Sequence, residues 1–249
     1  MRLTVLGGCG AWPAAGQACS GYLVEHDGFR LLLDPGYAIV PRLLQRIDAA
    51  DVDAVLVSHS HPDHCADLHP LLRARALRPE PAPTLAVHAL PGAVDRVLDL
   101  DGPGTLRDAF AVVGFAAGDQ FEVGPFHVRT WPLPHWVPNA GVRLTAGGRV
   151  LAYTGDTGPN SAIVELARGA DLFLAEASYP QHVPASAARF LSSAWQAGQD
   201  AARAGVGRLL LTHLLPGTAP GLAEAAARAG FDGEVGVALG GVAADLGPR

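Results

Sequence analysis

The sequence predicts an α/β chain in which β-sheets pack on one another and helices cover them. Three observations carry this. Short apolar runs bounded by Gly, Pro or Asp recur along all 249 residues. Strand-rich stretches alternate with helical segments in both halves, the pattern of packed sheets with helices outside. No linker is long enough to divide the chain and no short-period repeat stands out, so residues 1–249 are taken as a single domain. With 49% hydrophobic and 17% charged residues, the chain can bury a sizeable core.

The elements follow in order. LTVLG at 3–7, GYLVEH at 21–26 and FRLLLD at 29–34 read as strands, and His26-Asp27-Gly28 makes the tight turn joining the last two. DAVLVS at 53–58 is continuously apolar, which suits a strand buried on both faces. A helix follows over about 65–75, with Leu68, Leu71, Leu72 and Arg75 at helical spacing. RPEPAPT at 78–84 is too proline-rich for either regular element. A strand is expected at 85–89 and a helix at 91–100. Strands then fall at 119–123, 126–131, 141–145 and 149–154, and a helix at 160–168 ends at Gly169. The remaining elements are a strand at 171–176, a helix at 192–204, a strand at 208–212, a helix at 219–229 and a strand at 234–239.

Charge and cysteine usage exclude several classes. The net charge is −6, and all 18 basic residues are scattered arginines. No basic stripe offers a nucleic-acid face, so a nucleic-acid polymer is not the expected partner, whereas a small anion is. Cys9, Cys19 and Cys65 are odd in number and form no CxxC pair, which argues against a disulfide framework and fits a reducing cytoplasm. The N-terminal apolar run is too short for a signal peptide, and no run reaches the roughly 18 apolar residues of a membrane span.

The chemistry concentrates in Ser58-His59-Ser60-His61-Pro62-Asp63-His64, between a buried strand and a helix. A loop there can aim several side chains at one point. His59 and His61, two apart, face one side of an extended segment, and Asp63 and His64 can face a second point as the chain turns. Neutral imidazoles suit zinc and similar first-row ions, and a carboxylate adds charge and hardness.

This run resembles the HxHxDH signature of the metallo-β-lactamase superfamily. Further motifs stand in the family's order: Asp34 in LLLDPG, His135 in LPHWVPN, Asp156 in LAYTGDTG and His213 in LLLTHLLPGT. The resemblance implies a four-layer αββα sandwich with two divalent ions at the edge between its sheets, zinc first, with manganese or iron as alternatives. It assigns His59, His61 and His135 to one metal, Asp63, His64 and His213 to the other, and Asp156 as a bridge. It implies a hydrolase that works through a metal-activated hydroxide, with Asp63 also a catalytic carboxylate. Taken singly, His213 reads equally as a core histidine, His135 as packing beside Trp131 and Trp136, and Asp156 as a turn former. Asp34 is expected to orient a histidine. His26, His69, His88 and His127 read as structural, and Cys65 as a small buried residue.

SHSHPDHCADLHPL, LAYTGDTGPN, VELARGADLFLAEAS and AGVGRLLLTHLLPGT look especially like bacterial cyclic-nucleotide phosphodiesterases of the ribonuclease Z-like branch. That likeness implies a small phosphodiester substrate and, since the relatives often dimerise, a homodimer. The Gly/Pro-rich arm by which ribonuclease Z grips transfer RNA has no counterpart here. In that branch a histidine in a His-Leu-Ser/Thr motif protonates the leaving oxygen and a glutamate steers it. Glu176 is present in Glu176-Ala177-Ser178, but the histidine position falls on Phe190 or Leu191, neither of which can give a proton. His182 is a candidate substitute, with an ordinary loop histidine as the alternative. Trp136 and Trp195 either line a pocket that stacks on a flat ring or pack in the core. Three functions stay open: a phosphodiesterase, a hydrolase of a lactone, thioester or other carbonyl substrate, and a non-catalytic metal-binding protein of the same fold.

Overall fold

The computed structural model describes residues 1–102 and 104–247; Pro103, Pro248 and Arg249 lie outside the described residues. Two seven-stranded mixed sheets face each other. The first holds β1 (Arg2–Gly7), β2 (Gly21–His26), β3 (Phe29–Leu33), β4 (Ala54–Val57), β5 (Leu85–Ala89), β6 (Phe110–Gly114) and β14 (Ala243–Asp245), in the order β14-β1-β2-β3-β4-β5-β6. The second holds β7 (Gln120–Val123), β8 (Phe126–Leu133), β9 (Asn139–Ala146), β10 (Arg149–Tyr153), β11 (Leu172–Glu176), β12 (Arg208–Thr212) and β13 (Glu234–Val237), in the order β13-β12-β11-β10-β9-β8-β7. Each sheet begins as an antiparallel meander and continues in parallel: β3 to β6 in one, β10 to β13 in the other.

The continuous apolar runs come from strands with two buried faces. In β10 and β11, Leu151, Tyr153, Leu172 and Leu174 point into the core shared with the first sheet. Their neighbours Val150, Ala152, Phe173 and Ala175 point into a second core. That second core is closed by α5 (Ala162–Ala167), α6 (Ala194–Ala204) and α7 (Pro220–Arg228). Helix α6 lays down Ala194, Ala197, Ala201 and Ala204, a helical stripe of small residues. It starts where Ser193 caps it, with Ser193 and Gln196 forming a reciprocal capping box.

On the other side, α3 (Leu68–Ala76) contributes Leu68, Leu71 and Leu72 to the first core. It follows two short helices, α1 (Val40–Leu43) and α2 (Pro62–Cys65). The hairpin between β2 and β3 turns through Asp27 and Gly28, both at positive φ as a type I′ turn requires.

Three expectations change. The helix expected at 91–100 is one turn, α4 (Asp95–Leu98), because Gly92 takes positive φ and breaks the helical path before it. Strand β6 was not expected, and β14, Ala-Ala-Asp, is a strand only through its pairing with β1. Cys9, Cys19 and Cys65 are free and buried, and among the described residues no helix is long and apolar enough to cross a membrane.

Candidate metal centre

The donor side chains leave the carboxyl ends of strands, where parallel sheets gather loops. His59, His61, Asp63 and His64 follow β4, His135 follows β8, Asp156 follows β10 and His213 follows β12. The structure brings all seven together as two groups of converging ligand atoms. One is His59, His61, His135 and Asp156; the other is Asp63, His64, Asp156 and His213. Asp156 belongs to both: its Oδ1 lies 3.2 Å from His64 Nε2, and its Oδ2 lies 3.1 Å from His213 Nε2 and 3.7 Å from His59 Nε2. His213 Nε2 is also 3.2 Å from Asp63 Oδ2.

The outer ring nitrogens settle which atoms face inward. His64 Nδ1 donates to Asp34 Oδ2 at 2.8 Å. Ser58 Oγ donates to Asp34 at 2.6 Å, so its oxygen is free to accept from His59 Nδ1 at 3.0 Å. Ser178 does the same between Glu176 Oε1, at 2.6 Å, and His213 Nδ1, at 2.9 Å. His135 Nδ1 donates to the Phe190 carbonyl at 2.9 Å. These four histidines thus turn Nε2 to the centre, whereas His61 turns Nδ1, 2.9 Å from His135 Nε2.

Asp34, wholly buried, orients His64 as expected and also accepts from Ser58 N and Tyr153 Oη. Asp34 and His213 both hold φ near the left-handed region, at 48° and 60°, a strained conformation for a side-chain-bearing residue. At these strand ends the strain accompanies the turning of both groups toward the cluster.

Electrostatics follow burial and neighbours. Burial, reinforced by His64, holds His59 well below the ordinary imidazole range, and burial likewise lowers His61 and His135. His64 and His213 move the other way: burial opposes their charge, but Asp156 and Asp63 outweigh it, and His213 rises to about 10. The same pairs pull Asp156 and Asp63 down against the penalty of burial. The donor set fits cations by a further mark. His59 Nε2 is buried with no hydrogen-bond partner, a costly arrangement that a bound ion would relieve.

Glu176 is buried, and burial with nearby Asp156 raises its carboxyl to about 8. It accepts from Ser178 Oγ, Thr157 N and Ser192 N, so it ties the Asp156 loop to the stretch before α6. His182 is exposed on that stretch and makes no hydrogen bond or ion pair among the described residues. Of the histidines read as structural, His88 stacks on Phe121, His69 meets Asp101 and His127 meets Glu122. Sequence reasoning missed Ser58, Ser178, Tyr153 and the Phe190 carbonyl. Ser178 carried a signal in its place after Glu176, but a carbonyl has none. A cavity of about 520 Å³ lies elsewhere, between turns that include Asp27-Gly28 and Gly147. Its Arg2 and Arg30 already pair with Asp245 and Glu25, so nothing there matches the unpaired donors of the cluster.

Residues 29–214 match the β-lactamase superfamily domain, and the chain belongs to that superfamily. It is 30% identical over 244 residues to the probable metallo-hydrolase YhfI of Bacillus subtilis, covering 97% of this chain and 98% of that one. The YhfI crystal structure superposes with a TM-score of 0.89 over 98% of this chain and 99% of that one, at 29% identity. An uncharacterized protein of Mycobacterium leprae is 35% identical over 99% of this chain and 89% of its own. A ribonuclease Z of Kineococcus radiotolerans is 28% identical over 92% of this chain and 87% of its own.

Proposed function

We propose that this protein is a metal-dependent phosphodiesterase acting on small cyclic or activated phosphodiesters. The observation that carries the reading is the pair of four-residue donor groups sharing one carboxylate, Asp156. His59, His61 and His135 would hold one divalent ion, Asp63, His64 and His213 the other, with zinc the best match to five imidazoles. Two ions bound there would supply an acidified water and neutralise phosphate oxygens. The likeness to proteins named metallo-hydrolase and ribonuclease Z supports hydrolysis, and the second name supports phosphodiester chemistry.

The chain's own groups divide the remaining work. Asp63 accepts from Ala11 N at 2.9 Å and stays anionic beside His64 and His213, so it orients a water rather than taking its proton. Glu176 fixes the Asp156 loop. Phe190 and Leu191 offer the leaving oxygen no proton, and His182 is the candidate donor from the same stretch. General-acid help is worth about 10²–10⁴ in rate, so its weakness falls on poor leaving groups.

The test is kcat/KM of the metal-loaded protein on bis-p-nitrophenyl phosphate, cyclic AMP, a lactone and a thioester. A p-nitrophenolate leaves without protonation and a ribose alkoxide does not, so ready turnover of the first and much weaker turnover of the second is expected. Comparable values would put a donor in place, with His182→Ala as the check. Activity on a lactone or thioester alone would overturn the phosphodiesterase reading.

A further inference from the structure

We propose that Trp136 and Phe190 form an aromatic wall of the active site that stacks on a flat ring carried by the substrate, so that the site selects phosphodiesters bearing a nucleobase or aryl group. The proposal rests on the phosphodiesterase reading and names its substrate class.

Trp136 directly follows the donor His135, and their ring centroids are 5.0 Å apart at 68°. Its other neighbour is Phe190, at 5.1 Å and 36°. Despite both contacts Trp136 is 51% exposed. A tryptophan that served the core would hide its large apolar surface; this one leaves half of it in water beside the donor cluster. Phe190 is one of the two positions, with Leu191, on which the branch's proton-donating histidine falls. The Phe190 side chain offers no proton, only a ring face.

The wall is fixed relative to the donors. The Phe190 carbonyl holds His135, so the residue that supplies one ring also orients a ligand. Gly158 lies two residues after Asp156, and a Cβ there would meet Arg189 O at 2.1 Å and Phe190 N at 2.7 Å. Only glycine lets the 189–190 main chain seat so closely. Gly158 N donates to Pro134 O at 2.9 Å, and Ser192 Oγ donates to Thr157 O at 2.6 Å. Segments 134–136, 156–158 and 189–192 are therefore bound into one unit containing both His135 and Asp156. Arg189 adds a positive charge, its guanidinium 5.7 Å from the Phe190 ring, where it favours an anionic ligand that also carries a π-face.

Binding of product-like ligands tests this without turnover. The metal-loaded protein is titrated with inorganic phosphate, ribose 5-phosphate and adenosine 5′-monophosphate, by calorimetry and by tryptophan fluorescence. Base stacking is worth about 1–3 kcal/mol, so adenosine monophosphate is expected to bind about fivefold or more tightly than ribose 5-phosphate. Trp136→Ala and Phe190→Ala should each reduce that ratio while phosphate affinity does not fall with it, and Trp136→Phe should retain part of it. Phe190→Ala keeps the main-chain carbonyl that holds His135, so loss of the ratio there reports the ring. Equal affinity for the two sugar phosphates overturns the wall. So does a Trp136→Ala protein that keeps the ratio but changes its oligomeric state, which would make the tryptophan a protein contact. If inorganic phosphate itself does not bind, the phosphodiesterase reading falls first, and the wall with it.

Discussion

The two halves of the donor cluster are braced in different ways. On the deep side Asp63, His64 and His213 are buried, and each imidazole leans on a carboxylate: His64 directly on Asp34, His213 through Ser178 on Glu176. On the rim side His59 is buried and leans through Ser58 on Asp34, but His61 is only partly buried, His135 leans on a main-chain carbonyl, and exposed Trp136 stands beside it. A carbonyl fixes a tautomer and an orientation. A carboxylate does that and also raises the basicity of the imidazole. The deep half is built to grip a cation and the rim half to leave room for a ligand.

The largest effect expected is one that abolishes the contrast. Asp156→Ala removes the carboxylate common to both groups, so the variant should lose most bound metal and nearly all activity on bis-p-nitrophenyl phosphate. Elemental analysis should find close to two ions per chain in the reconstituted parent and well under one in the variant. A variant that keeps both ions would show that the halves do not share Asp156.

A smaller effect sharpens the contrast. Ser178→Ala cuts His213 from Glu176 but leaves the rim donors untouched. Loss of such a supporting bond typically costs 10–100-fold in metal affinity. We expect that loss in one of two binding steps, read by competition with a chromogenic chelator, with the other step unmoved. Ser178→Thr, which keeps the hydroxyl, should restore most of it. Equal weakening of both steps would mean that the serine supports the fold rather than one centre.

The same division marks what the sequence made legible. The donors of both halves are written in side chains: HxHxDH, Asp34, His135, Asp156 and His213 all sit at ends of apolar runs, and the structure gathers them. The strands were legible for the same reason, since two-sided burial leaves runs such as LLLT and DLFLAE. The brace that holds the rim half was not. The carbonyl of Phe190 holds His135, and a carbonyl is common to every residue. Its placement depends on the fit of Gly158 against residues 189–190, a contact between loops distant in sequence. Strand β14 was illegible in the same way, because Ala243-Ala244-Asp245 has no strand preference and exists only against β1. The 91–100 segment erred the other way, its apolar spacing suggesting a helix that Gly92 interrupts.

The smallest expected effect separates two buried carboxyls that stand near each other behind the site. Glu176 and Asp200 both line a void of about 10 Å³, with Thr154, Thr157 and Ser192. Glu176 has main-chain and hydroxyl donors and braces the Asp156 loop. Asp200, on α6, has among the described residues only the exposed Arg203 guanidinium, at 3.2 Å. Burial lifts Asp200 from the ordinary carboxylate range to about 6, and Arg203 offsets only part of that. A raised carboxyl favours the folded state while it is protonated. Its contribution is fully present below about pH 4 and is lost as pH rises through 6. At pH 8 the charged carboxyl therefore costs on the order of 1–3 kcal/mol of stability. Asp200→Asn removes the titration, so the variant should be more stable than the parent at pH 8, with an advantage that shrinks toward pH 5. Urea unfolding of both proteins with a chelator present keeps metal linkage out of the comparison. A gain that stays constant between pH 5 and pH 8 would trace the effect to packing in the void instead of charge. A loss at pH 8 would mean that Asp200 is held by its partners and stabilises the fold as an anion.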